Sequence, residues 1–317
     1  MAELALFNVV EGRHLKTLKT HKNFGTWTDM IPGDFFHERN EYFRTDLLFY
    51  NANTGSAAFY RCSGEGEVEE ARSIGNGGWR TGLKVLPGRF SGSALTDLIF
   101  YDPKTGNVAL YENTGDALMV EKTVIQGAMD KGLTHATSER GLLSYDADSG
   151  SVARYESPWL DRFTAKETEV KPRHWRPGWS HLVPINFTYN FSPEILFYDE
   201  KTGDAEFFTY ESGELKSVKK LPGGWKKGIT HIVSAYLQHW KYEDLLFYDR
   251  NEGSAAIYWH QKNAPEKAPF IEALKIQPGG WRKTWDAIVP GRFSGLHGIG
   301  SDYEHVSDLA FYSAEDY

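Results

Sequence analysis

Cysteine is nearly missing. Cys62 stands alone in 317 residues, which excludes an internal disulfide framework. No apolar run approaches the roughly 18 residues that a membrane-crossing helix needs. The N-terminus, Met1-Ala-Glu-Leu-Ala-Leu-Phe7, has neither a basic segment nor an extended apolar stretch, so it does not read as a signal peptide. The expected location is cytoplasmic, or outside the cell by a route without a recognisable signal peptide. In that setting the sequon Asn186-Phe-Thr188 reads as a chance match. Positive charge is in deficit: 35 Lys and Arg stand against 43 Asp and Glu, a net charge of −8. A partner with a nucleic-acid backbone would ask for clustered Lys and Arg, so nucleic acid is excluded as an expectation. Nucleophile elbow, phosphate loop, dinucleotide fingerprint and His-Glu-x-x-His are all missing.

What the chain does have is aromatic residues, at 15%, and a repeat. Asp244-Leu-Leu-Phe-Tyr-Asp249 recurs as Asp46-Leu-Leu-Phe-Tyr50, Asp97-Leu-Ile-Phe-Tyr-Asp102, Glu194-Ile-Leu-Phe-Tyr-Asp199 and Asp308-Leu-Ala-Phe-Tyr312, with a worn copy at Gly141-Leu-Leu-Ser-Tyr-Asp146. These anchor strands (46–50, 97–101, 141–145, 194–198, 244–248, 308–312) lie 51, 44, 53, 50 and 64 residues apart. Periods near 50 residues, with several short strands in each, mark β-propeller blades. Within one period, a lead-in and first strand span Gly224 to Val233. The anchor is the second strand, Ser254-Ala-Ala-Ile-Tyr258 the third and Phe270 to Ile276 the fourth. Glycine recurs at the turn after each of the first five anchors (Gly55, Gly106, Gly150, Gly203, Gly253), where a positive φ is expected.

The last anchor is followed by only five residues, so its partners must come from the other end of the chain. Residues 2–19 supply them: Ala2 to Phe7 aligns with a third strand and His14 to Lys19 with a fourth. The expectation is all-β: one six-bladed propeller over residues 1–317, with four-stranded blades and a last blade closed by the N-terminal strands.

The segment Gly77-Gly-Trp79, Pro87-Gly-Arg-Phe-Ser-Gly92, Thr96-Asp-Leu-Ile-Phe-Tyr-Asp102 resembles the FG-GAP/VCBS type of propeller repeat. In pattern it is similar to bacterial and fungal propeller lectins of the tachylectin-2-like and Psathyrella-lectin-like kind. The resemblance covers essentially the whole chain, and it implies a propeller and, often, carbohydrate binding. Calcium-binding members of this type place several Asp in the loop before the second strand, since calcium takes six or more oxygens. Here that loop reads Gly88-Arg-Phe-Ser-Gly-Ser-Ala-Leu-Thr96 or Gly33-Asp-Phe-Phe-His37, without such a cage.

Three sets of residues are candidates for function. Trp79, Trp175, Trp225 and Trp281 precede first strands, and Trp27, Trp179 and Trp285 stand four residues further along; Met129 takes the place in the third blade. These rings either pack between blades or form sugar-stacking platforms, with Tyr189, Trp240 and Tyr303 in the loops as further ligand contacts. His135, His181 and His231 share one repeat position, Asp29 fills it in the first blade, and Asp286 lies one residue off it in the last. As a channel set these are acid/base candidates for an enzyme (cyclase, isomerase, lyase or hydrolase), or ligands of a divalent metal. In the alternative they bond the backbone of the neighbouring blade. The loop 291–307 holds His297, Asp302 and His305, and across the closure His37 completes a candidate metal set. No cofactor is predicted beyond a divalent metal in the channel set or in the loop 291–307. The expected partners are glycans or a small-molecule ligand, with a protein-interaction platform as a third reading.

Overall fold

The computed structural model describes residues 2–11, 14–36, 44–137, 142–155, 167–168, 175–186, 194–211, 214–238, 242–261, 270–294 and 306–315. The chain opens with β1 (Glu3–Val10) and β2 (His14–Lys22). A first complete sheet follows: β3 (Asp29–Gly33), β4 (Asp46–Asn51), β5 (Ser56–Gly64) and β6 (Glu67–Ile74). The second holds β7 (Lys84–Gly88), β8 (Asp97–Tyr101), β9 (Val108–Asn113) and β10 (Met119–Ile125). The third holds β11 (His135–Thr137), β12 (Leu142–Tyr145), β13 (Val152–Tyr155) and β14 (Glu167–Thr168). The fourth is β15 (His181–Ile185), β16 (Glu194–Tyr198), β17 (Ala205–Glu211) and β18 (Glu214–Leu221), and the fifth β19 (His231–Ala235), β20 (Asp244–Asp249), β21 (Ser254–His260) and β22 (Phe270–Ile276). The chain ends in β23 (Ala287–Gly291) and β24 (Asp308–Ser313), which complete a sheet with the opening strands in the order β2-β1-β24-β23. In this shared sheet Leu4 lies opposite Tyr312 and Phe7 opposite Leu309. Among the described residues all pairings are antiparallel, and the architecture is a β-propeller of four-stranded blades.

The anchor strands are second in their sheets and buried along nearly their whole length. A strand covered on both faces needs no polar alternation, which is why these segments are almost continuously apolar. Among the described residues, six hydrophobic clusters fill the spaces between successive sheets, and each draws on two of them. Phe49 meets Tyr312, Tyr50 meets Phe100, Tyr145 meets Phe197 and Tyr198 meets Phe247; Tyr101 shares a cluster with Tyr155, and Tyr248 shares one with Phe311.

The anchor's ends are polar for a reason. Each closing Tyr is buried, yet its hydroxyl donates to a backbone carbonyl in the next lead-in: Tyr101 to Asp130 at 2.6 Å, Tyr145 to Arg176 at 2.9 Å, Tyr312 to Gly25 at 2.8 Å, and Tyr50, Tyr198 and Tyr248 to Arg80, Lys226 and Arg282. The leading acid braces the loop before it. Asp97 accepts from Phe90 N, Ser91 N and Asn113 N, and Asp308 from Phe293 N and Ser294 N, all at 2.7–2.9 Å. Buried carboxylates survive here because backbone N–H groups take the place of water.

The turn glycines are doubly constrained. Gly55, Gly106, Gly150, Gly203 and Gly253 have φ between +66° and +76°. A Cβ added at any of them would come within 2.1–2.3 Å of a carbonyl oxygen in the next lead-in. One detail departs from the sequence expectation: the outer terminal strand runs past Lys19 to Lys22. Gly141 lies outside the described residues.

Candidate functional site

The registers place Asp29, Lys84, His135, His181, His231 and Ala287 at one level of the six inner strands, opposite the closing Tyr of each anchor. Lys84 escapes a search for histidines, although counting back from Tyr101 finds it. Asp286 sits one position earlier, its N–H donating to Tyr312 O as those of Thr134, Ser180 and Thr230 donate to Tyr145, Tyr198 and Tyr248.

Each imidazole reaches the next sheet. His135 Nε2 lies 2.7 Å from Ser180 O, His181 Nε2 3.1 Å from Ile229 O, and His231 Nε2 3.0 Å from Asp286 O. A carbonyl can only accept, so Nε2 carries the proton and Nδ1 is left as an acceptor. For His135 and His231 that acceptor meets a Thr hydroxyl, Thr134 at 2.8 Å and Thr230 at 2.9 Å. Lys84 Nζ continues the pattern, donating to Leu133 O at 3.1 Å and Thr134 O at 2.6 Å. The Asp29 carboxylate accepts from the Thr28 hydroxyl at 2.6 Å, and burial raises its pKa. Asp286 is held by Arg250 at 2.6 Å and by Ala314 N at 2.7 Å. With Nε2 used in all three histidines, the ring acts as an inter-sheet tie. Among the described residues no three His, Cys, Asp or Glu come together as a metal site.

The tie is acid-sensitive. Burial, followed by the neighbouring His135 and His231, pushes the His181 pKa down to about 4 from an ordinary 6.5. The unfolded chain takes up this proton below about pH 6.5, whereas the folded chain resists until about pH 4. Stability from this group is therefore fully present above the unfolded value and is lost as pH falls through that window, up to about 3 kcal/mol. Denaturant unfolding of the wild type and of His181→Asn at pH 7 and pH 4.5 checks this. The loss between the two pH values should be smaller in the variant by about 2 kcal/mol.

The tryptophans sit between sheets. Trp79, Trp179 and Trp285 are only 9%, 3% and 5% exposed, and Trp27, Trp175, Trp225 and Trp281 are half-buried against the same clusters. Trp175 stacks on Phe208 at 4.4 Å, and Trp225 lies 4.7 Å from Phe247 and 5.9 Å from Tyr258. A ring covered by its own core has no face left for a sugar, so Trp79, Trp179 and Trp285 are packing groups.

The open surface lies beside the lead-in instead. In the fifth sheet a groove of about 270 Å³ runs between the lead-in and β21–β22. Ile229, Phe247, Ala256, Tyr258, Ile276 and Pro278 give it an apolar floor and wall; Lys226, Glu252, Glu272 and Lys275 give it a charged rim. Lys226 is fixed, its ammonium donating to Asp249 at 2.9 Å, Glu252 at 2.6 Å and Ser254 at 2.6 Å. The Tyr258 hydroxyl donates to Glu272 at 3.3 Å; burial and then that carboxylate push the phenol up to about 12. The sequence signal for this arrangement is a Tyr on the third strand facing a Glu on the fourth: Tyr60–Glu70, Tyr111–Glu121 and Tyr258–Glu272.

Tyr189, Trp240, Tyr303, His297, Asp302, His305 and His37 lie outside the described residues, and so does most of the loop 291–307. Among the described residues no helix is long and apolar enough to cross a membrane.

No protein-family model matches this chain, and none of the curated proteins matches it. Among solved structures, a protein from Lactobacillus plantarum is similar over 89% of this chain and 98% of its own, with 12% identity and a TM-score of 0.47. The periplasmic gluconolactonase of Pseudomonas aeruginosa is similar over 89% and 97%, with 14% identity and a TM-score of 0.44. These are distant likenesses of shape and carry no chemistry to this chain.

Proposed function

We propose that this protein is a carbohydrate-binding propeller whose ligand seats in the groove of the fifth sheet. Its six sheets are read as six blades of one ring, closed by the sheet that the two termini share. The groove carries the proposal because it combines an apolar floor with fixed polar groups, the build expected of a small-ligand site. Its rim has two lysines and two glutamates, which balance, so a neutral ring with hydroxyls around an apolar face suits it better than a strongly charged ligand. At about 270 Å³ it falls just under the ~300 Å³ lower end for drug-sized ligands, which favours a single sugar ring. Titration with methyl glucoside, galactoside and mannoside, followed by NMR, tests this reading. Binding by the wild type should weaken at least tenfold in Tyr258→Ala, about 1.4 kcal/mol or more, with the fold intact. Wild-type protein that binds none of the three sinks the assignment.

The second reading is an enzyme at the channel mouth, favoured by the gathering of Asp29, Lys84, His135, His181 and His231 at one level. Turnover of a substrate abolished by Lys84→Met, with the melting temperature kept, would favour it. A divalent metal in the channel belongs to that reading. A protein-interaction platform is the third.

A further inference from the structure

We infer that Arg80 is a latch over a second seat of the same kind, in the second sheet; this rests on the carbohydrate reading above. The two sheets correspond position by position. Arg80, Leu83, Phe100, Asn107, Ala109 and Val124 line a groove of about 170 Å³ in the second sheet. By register and by distance from the lead-in Trp they stand where Lys226, Ile229, Phe247, Ser254, Ala256 and Lys275 line the larger one. The smaller groove lacks the outer wall: Tyr111 and Glu121, equivalent to Tyr258 and Glu272, are not part of its lining.

The lead-in cation accounts for the difference. Arg80 Nη2 crosses to Glu121 Oε2 at 3.0 Å, and the Tyr111 hydroxyl donates to the same oxygen at 2.6 Å. The guanidinium therefore lies over the wall that Tyr111 and Glu121 would otherwise present. In the fifth sheet the corresponding Lys226 is drawn the other way, onto Asp249, Glu252 and Ser254. The second sheet has Thr105 where the fifth has Glu252, and its hydroxyl already donates to Asp102 at 2.6 Å. With no second carboxylate at the turn, Arg80 finds its partner across the groove. The Arg80 and Glu121 side chains are 44% and 39% exposed, so the tie is weak and a ligand can displace it.

Removing the latch should tighten the second seat without touching the first. Tyr258→Ala silences the fifth-sheet groove, so binding of methyl glucoside, galactoside or mannoside to that variant reports the second sheet alone. Adding Arg80→Ala should tighten its Kd about fivefold, the equivalent of about 1 kcal/mol. Glu121→Gln, added separately, should act in the same direction while keeping the Tyr111 contact. A melting curve confirms folding of each variant. Wild-type binding with a Kd unchanged by Arg80→Ala and Glu121→Gln in the Tyr258→Ala background overturns the latch alone. No binding by the wild type overturns the seat and the latch together.

Discussion

Trp79→Ala lowers the free energy of unfolding by about 4 kcal/mol, the range expected for deleting a buried indole and leaving its cavity. The ring lies at 5.1 Å from Phe100 and 5.8 Å from Phe59, both edge-on, with Tyr50 and Tyr111 at 6.1 and 6.2 Å. These four residues come from the first and second sheets, so the indole acts as a wedge between them. Such aromatic pairs add to area burial, which places the loss toward the upper part of the range. Chemical denaturation measures it. A sugar-stacking Trp behaves in the opposite way: its removal leaves stability within about 1 kcal/mol and abolishes binding. That outcome would return Trp79 to the ligand-binding set.

Gly55→Ala should cost about 2–4 kcal/mol, more than a helix or loop glycine would. Its φ of +69° is strained for any residue with a Cβ, and the added carbon would sit 2.2 Å from Trp79 O. The same two residues are tied at 2.9 Å by Trp79 N donating to Gly55 O, so the turn cannot shift without breaking that bond. Because Gly55 and Trp79 share a contact, the double variant should lose less than the sum of the two single losses. A fully additive double variant would mean that the turn and the wedge act independently, contrary to the packing described.

The parts of the fold that depend on side-chain period were legible in the residues. The anchors are apolar because they are buried on both faces, and their recurrence carries the repeat. The glycine after each anchor was legible as a positive-φ turn, whereas its second constraint, a carbonyl of the next lead-in, comes from more than 20 residues further on. For the histidines, alignment was legible but direction was not. His135 bonds Ser180 O across 45 residues, and nothing local to Leu133-Thr-His135 specifies that partner. The tryptophans show the same limit: their bulk is plain in the sequence, but which side of a blade each faces is set by packing. The groove was the least legible feature. It differs between the second and fifth sheets through the direction of one cation, decided by Thr105 against Glu252 at the neighbouring turn.

The most direct test of the account is where a bound sugar lies. Crystals soaked in methyl glucoside, galactoside or mannoside should show density in the fifth-sheet groove, over Tyr258 and between Lys226 and Glu272. Density in the central channel, beside Lys84 or His181 and with that groove empty, would contradict it.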